Sequence, residues 1–174
     1  MNERQQQVFD ATVSGLRGKA PAPLAAWLVS PELASRAQHL GEFVRYSTSL
    51  SANLSELAIL VTARYWTSHY EWYAHKKEAL KAGLDEYIID CIAARTVPEF
   101  VDQQERVVYQ LSNCLHLNHM VSEEIYAEAV DLLGEKGVVE LVGIIGYYTF
   151  VAMTLNVFEI GLPSGVAADL SDLP

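Results

Sequence analysis

The chain has 174 residues, 51% apolar and 20% charged, with 22 acidic against 12 basic side chains and a formal net charge of -10. That length suits one domain with a sizeable core. The acidic balance argues against a nucleic-acid partner, because phosphate binding needs clustered Lys and Arg. Cys91 and Cys114 are far apart, form neither a metal nor a redox motif, and read as small buried hydrophobes in a reducing cytosol. The opening MNERQQQ is polar and has no apolar secretion segment, so a cytoplasmic location is expected.

In chain order, residues 3–17 read as a first helix, with Phe9, Val13 and Leu16 spaced i, i+4, i+7 and Val8 beside them. Gly18 ends it and Pro21-Ala22-Pro23 is a linker. A short helix over Leu24 to Val29 follows. Ser30-Pro31-Glu32 then starts a helix reaching Tyr46, with Leu33, Ala37, Leu40 and Val44 on one face. Ser47 to Asn53 is a loop.

Two capping-box patterns come next. Asn53-Leu54-Ser55-Glu56 opens a helix over about 54–66, and Ser68-His69-Tyr70-Glu71 opens another over 69–82, ended by Gly83. Asp85 caps a short helix, Glu86 to Ala94, and Val97-Pro98-Glu99 starts one reaching Leu115. Ser122-Glu123-Glu124 caps a helix ending near Gly134. The last long element runs from Gly137 to Ile160, before a tail with little helix. No stretch alternates with period two, so the fold is expected to be all-α.

Within the last element, Val138 to Phe158 carries a single charge, Glu140, and is long enough to span a bilayer. Asn156, two threonines and Lys136 as the only nearby basic residue favour a buried helix instead, with Gly143 and Gly146 suited to close packing and no membrane partner expected. Such a helix belongs in the middle of a bundle or at a subunit interface.

The stretch from Asn53 to Gly83 carries the chemistry. Glu56 precedes His75 by nineteen residues. On one straight helix the two would lie about 28 Å apart. A helix break near Trp66-Thr67, with the second helix folding back, brings them opposite each other. Glu56 then reads in two ways: as the third residue of its own capping box, or as the carboxylate that fixes the tautomer of His75.

The same stretch resembles the carboxymuconolactone decarboxylase family, which includes the alkylhydroperoxidase D branch. The peroxidase branch carries Glu, then Cys-x-x-Cys, then His. Here the register is complete in Glu56 and His75, but Ser68 and Glu71 stand at the two cysteine positions. The decarboxylase branch carries acid-aromatic-x-x-His at this point, and Glu71-Trp72-Tyr73-Ala74-His75 is similar to that. ELAIL, EALKAGLDEYIID and the run from Gly146 to Asn156 also resemble the family, so the likeness extends from about Leu40 to Phe158.

The resemblance implies a single all-α bundle of the alkylhydroperoxidase D-like type. In it residues 1–50 are an N-terminal helical extension, 51–160 the core and 161–174 a tail. It further implies a homotrimer or homohexamer and cofactor-free chemistry on a small organic acid or lactone. His75 would carry the proton, Glu56 orient it, and Glu71 act as a second acid/base group. Ser68, His69, Trp72, Tyr148 and Asn156 would lie near the substrate. Arg64, eight residues beyond Glu56 and about 80° round the same helix, offers a cation at the site's edge. No metal is expected: His116-x-x-His119 has ligand spacing but no evident third and fourth ligand. Two other readings remain: a thiol peroxidase, which needs a reactive thiolate that Ser68 and Glu71 cannot supply, and a non-catalytic binding protein.

Overall fold

A computed structural model describes residues 1–16 and 18–171. Among them the secondary structure is eight α-helices and no strand: α1 (Glu3–Ser14), α2 (Leu24–Trp27), α3 (Pro31–Tyr46), α4 (Ala52–Tyr65), α5 (His69–Lys81), α6 (Glu86–Ala93), α7 (Gln103–Asn118) and α8 (Glu123–Val157). The all-α single-domain expectation therefore holds.

The centre of the bundle is α4. It packs against α5, α6, α7 and α8, and every residue from Leu54 to Arg64 is buried. The more apolar α8 is only partly enclosed. It is long and apolar enough to cross a membrane, with a mean hydropathy of 1.8 over its best window, but 61% of that window is buried inside the fold. The remaining face leaves Val139, Val142, Met153 and Val157 exposed. Gly134 bends this helix with φ 73° and ψ 160°, a conformation that favours glycine, near where the sequence places a break.

Several local expectations are corrected. The first helix stops at Ser14 and buries Val8 and Thr12, while Leu16 is exposed; Arg17 lies outside the described residues. On α3 the buried face is Ala34, Ala37, Gln38, Gly41 and Val44, whereas Leu33 and Leu40 are about half exposed. Small residues face inward here because α3 must approach aromatic side chains of α8. A Cβ on Gly41 would stand 2.1 Å from the Tyr147 hydroxyl and 2.5 Å from its ring. Tyr147 cannot simply retreat, being held edge-on by Trp27 and Tyr148. Gly41→Ala should therefore destabilise the fold by about 1–3 kcal/mol through overpacking, measurable as a lower urea midpoint at unchanged slope. Gly146, expected to pack closely, faces open space within the chain.

The Val97-Pro98-Glu99 start is also corrected. α7 begins only at Gln103, because the Asp102 carboxylate accepts the Gln104 and Glu105 amides, satisfying orphan donors that Pro98 cannot. Phe100 and Val101, inside the helix expected from that start, precede α7, and Val101 is fully exposed. The cysteines are half-buried and free. The tail is non-helical through Ser171, as expected, yet Leu170 is buried; residues 172–174 lie outside the described residues.

Candidate active site

The reversal between α4 and α5 sets the site. Ser68 N–H donates to the Ala63 carbonyl and Thr67 N–H to the Arg64 carbonyl, at 2.9 and 3.1 Å. This closes α4 with the paired bonds of a Schellman turn. Thr67 takes the left-handed position with φ 47°, where a β-branched residue is strained. Its hydroxyl accepts from both Arg64 and Arg95, which helps to hold it there. The chain then runs back along α4, and Glu56 meets His75.

Neither expected capping box forms. The N-cap of α4 is Ser51, one residue before the helix, and Asn53 instead reaches Glu105. Glu56 is 8% exposed, and its Oε2 lies 2.7 Å from His75 Nδ1. Ser68 is the N-cap of α5 by position but makes no side-chain cap bond, and Glu71 turns inward.

A carboxylate only accepts and a guanidinium only donates, so two contacts fix the same imidazole tautomer. Nδ1–H donates to Glu56. On the opposite edge, Arg45 Nη1 stands 3.4 Å from Nε2, which therefore presents its lone pair. Tyr148 closes over the ring edge-on, centroids 4.8 Å apart.

His75, Arg45 and Tyr148 border a cavity of about 360 Å³, lined also by Tyr46, Tyr70, Glu71, Tyr73 and Tyr147 among others, while Glu56 stands outside its lining. Lys77 lies over the Tyr73 ring at 3.9 Å. Glu71 is 1% exposed, and neither carboxyl oxygen has a hydrogen-bond partner among the described residues. Burial pushes its carboxyl well above the usual range, and the Ser68 hydroxyl opposes that rise without cancelling it. One cavity thus holds a lone pair on an oriented imidazole and a carboxyl biased to keep its proton, a combination that suits proton transfer.

Of the residues singled out from the sequence, Glu56, Glu71, His75 and Tyr148 are brought together. The others are not at the cavity. Arg64 is buried on the far side of the hairpin, where its guanidinium bonds Thr67 and Ser171. Asn156 is exposed and donates to the Trp66 carbonyl at 2.9 Å, capping the end of α4. Trp72 is core, 1% exposed, and Ser68 is buried behind Glu71. His69 is half-buried and does not line the cavity. The cations that do are Lys19, Lys77 and Arg45; Arg45, in the last turn of α3, is the one that reaches the imidazole, and sequence reasoning passed it over as part of an N-terminal extension.

A second cavity of about 390 Å³ is lined by Arg64, Tyr65, Arg95, Tyr109 and Cys114 among others, with no carboxylate or imidazole. The carboxyl and imidazole groups therefore gather at the first. Neither cysteine lines the cavity of His75, which removes the route by which a thiol could enter the site. Burial lowers His116 to about 4, its Nε2 lies 3.0 Å from the Thr62 hydroxyl, and its ring stacks on Tyr65. His119 sits beyond the helix end in the left-handed region. No cluster of potential metal ligands occurs among the described residues.

No protein-family model matches this sequence, and no curated protein matches it. Among solved structures, the chain is similar to the debrominase Bmp8 in its apo form. The likeness covers 93% of this chain and 87% of that one, with a TM-score of 0.68 at 14% identity. At that identity the likeness establishes a shared all-helical fold.

Proposed function

We propose that the protein is an enzyme of the carboxymuconolactone decarboxylase type, moving a proton on a small organic acid or lactone without a cofactor. The observation that carries this reading is the 2.7 Å contact between Glu56 and His75 Nδ1, made from two helices at the edge of an aromatic cavity. A carboxylate on Nδ1 fixes the tautomer and holds the Nε2 lone pair in one direction. His75 would take the proton from a carbon acid. Where a carboxylate is lost as carbon dioxide, the electron pair left on carbon would be protonated by Glu71, whose burial keeps its proton available. A debrominase on the same fold supports catalysis on this scaffold over passive binding. The substitution of both cysteine positions by Ser68 and Glu71 argues against thiol chemistry.

The test is incubation with a panel of small unsaturated acids and lactone acids in D₂O, following carbon dioxide release and deuterium on carbon by NMR. His75→Gln should abolish most of either signal, about 10²-fold or more, with the fold retained. Ligand binding that His75→Gln leaves intact, with no turnover of any acid by the parent protein, would mean a binding protein instead.

The assembly we propose is a homotrimer or homohexamer, with a cytoplasmic location. The exposed Val139, Val142, Met153 and Val157 on α8, with Gly146 open between them, form an apolar strip that a second copy would cover. Sedimentation velocity at micromolar concentration should give a trimer or larger, and a monomer would contradict the assembly.

A further inference from the structure

Arg45 is a cation placed at the cavity with no carboxylate of its own. Among the described residues it forms no ion pair. The charged groups around it come from each neighbouring helix and from Lys19, ahead of α2, which lines the same cavity. Glu56 on α4 already accepts from His75. On α5, Glu78 pairs with Lys81 at 3.0 Å and Lys77 faces the Tyr73 ring, while Glu71 is held towards its neutral form by burial. On α8 there is the Tyr148 hydroxyl. Burial works against the Arg45 charge, but Tyr148, Glu56 and Tyr46 more than offset it and hold the guanidinium in its cationic form. In this state the guanidinium also interacts with the Tyr148 hydroxyl and lies 5.6 Å from the Tyr46 ring, and its Nη1 meets the His75 Nε2 lone pair at 3.4 Å, near the outer limit of a hydrogen bond.

That contact is at odds with a base. A lone pair that already receives an N–H is a poorer proton acceptor, and a cation beside it disfavours a second positive charge. A guanidinium prefers the two oxygens of a carboxylate, which it binds in a shorter, charge-assisted fork. We propose that Arg45 anchors the carboxylate of a small aromatic or unsaturated acid, and that this capture draws the guanidinium away from His75 Nε2 and frees the lone pair. No covalent bond changes in the exchange: N–H groups of Arg45 pass from nitrogen to the ligand's oxygens, and the ligand's charge neutralises the cation beside the imidazole. The tyrosine walls suit a planar apolar body of the size that about 360 Å³ accommodates. The second half of the inference rests on the proton-transfer reading of His75; the first does not.

Benzoate and its neutral amide, benzamide, separate the two halves. In calorimetry, benzoate should bind the wild-type protein at least tenfold more tightly than benzamide, and Arg45→Gln should erase that preference. In protein labelled with ¹⁵N-histidine, and assigned against His75→Gln, the His75 Nε2 resonance should move as benzoate saturates the site and stay in place with benzamide. Equal affinity of the wild-type protein for the two probes would overturn the anchor, and needs no variant to fold. Benzoate saturation with an unmoved Nε2 resonance would overturn the release. If benzoate is preferred and no acid is turned over, the anchor stands and the catalytic reading falls. Turnover combined with equal affinity for both probes removes the anchor and leaves catalysis.

Discussion

Glu56→Gln should lower proton-transfer turnover by about 10²–10⁴-fold while shifting stability by no more than about 1 kcal/mol. The substitution is nearly isosteric, and the amide oxygen can still accept from Nδ1, so the buried imidazole is not left without a partner. What is lost is the charge facing the imidazole, and with it the group that only accepts from Nδ1–H. The amide can also rotate and present its NH₂ group to Nδ1, which would move the imidazole proton to Nε2 and leave no lone pair facing the cavity. A neutral amide in place of an orienting carboxylate is known to select the wrong tautomer with effects at the upper end of this range. Thermal unfolding and kcat measured on one preparation decide the matter. Turnover within about threefold of wild type would mean that Glu56 merely fills its place between α4 and α5. A large loss of stability would instead mark the pair as structural, since the contact would then be holding the hairpin together.

The hairpin was legible because it rests on local rules. Ser68 stands at a helix start, the chain must reverse before it, and a nineteen-residue spacing across such a reversal places Glu56 opposite His75. The reading went wrong where a side chain had a tertiary alternative. Asn53 and Ser68 have the chemistry of capping residues, but Asn53 bonds Glu105 and the Ser68 hydroxyl makes no cap bond. The four-residue signature also describes a cap equally well whether its acid caps or serves a site.

Arg45 was hidden for a similar reason. A basic residue in the last turn of a helix is satisfied by the helix dipole alone, so nothing in its neighbourhood asks for another role. Only the packing of α3 on α8, which depends on the bare backbone at Gly41, carries it to the imidazole. Arg64 shows the converse: its helical angle from Glu56 was sound, but α4 is enclosed on all sides, so an 80° rotation leads to a different cavity. A helix apolar in every direction suggests a buried Asn156. The burial of α8 is set by its neighbours, and this residue falls on the open face.

Glu71→Gln should separate stability from activity, and the sign of its pH dependence is specific. In the unfolded chain Glu71 titrates near the ordinary value of about 4.3; in the folded protein burial raises it well above the carboxylate range. Below the unfolded value both states hold the proton and the group costs nothing. As pH rises from there towards the folded value, the unfolded state gives up its proton while the folded state keeps it. Wild-type stability should therefore fall across that window, with a limiting slope of about 1.4 kcal/mol per pH unit for one proton. Glutamine has no proton to lose. Its variant should match the wild type near pH 4 and become the more stable protein as pH rises through neutrality, with denaturant midpoints diverging in that direction. Activity should move the other way. An amide cannot supply the proton that a neutral carboxyl gives to a carbanion, so turnover should drop by about 10²-fold or more, even as the protein becomes harder to unfold. If Glu71 were only a buried structural acid, Glu71→Gln would gain the same stability and keep its turnover. If the carboxyl were ionised in the folded protein at neutral pH, the two denaturation curves would already be separated by a constant amount there. The same variant, followed from pH 4 to pH 8 for both unfolding and proton transfer, thus reports whether the unpartnered carboxyl at this cavity is a reserve of protons for the reaction.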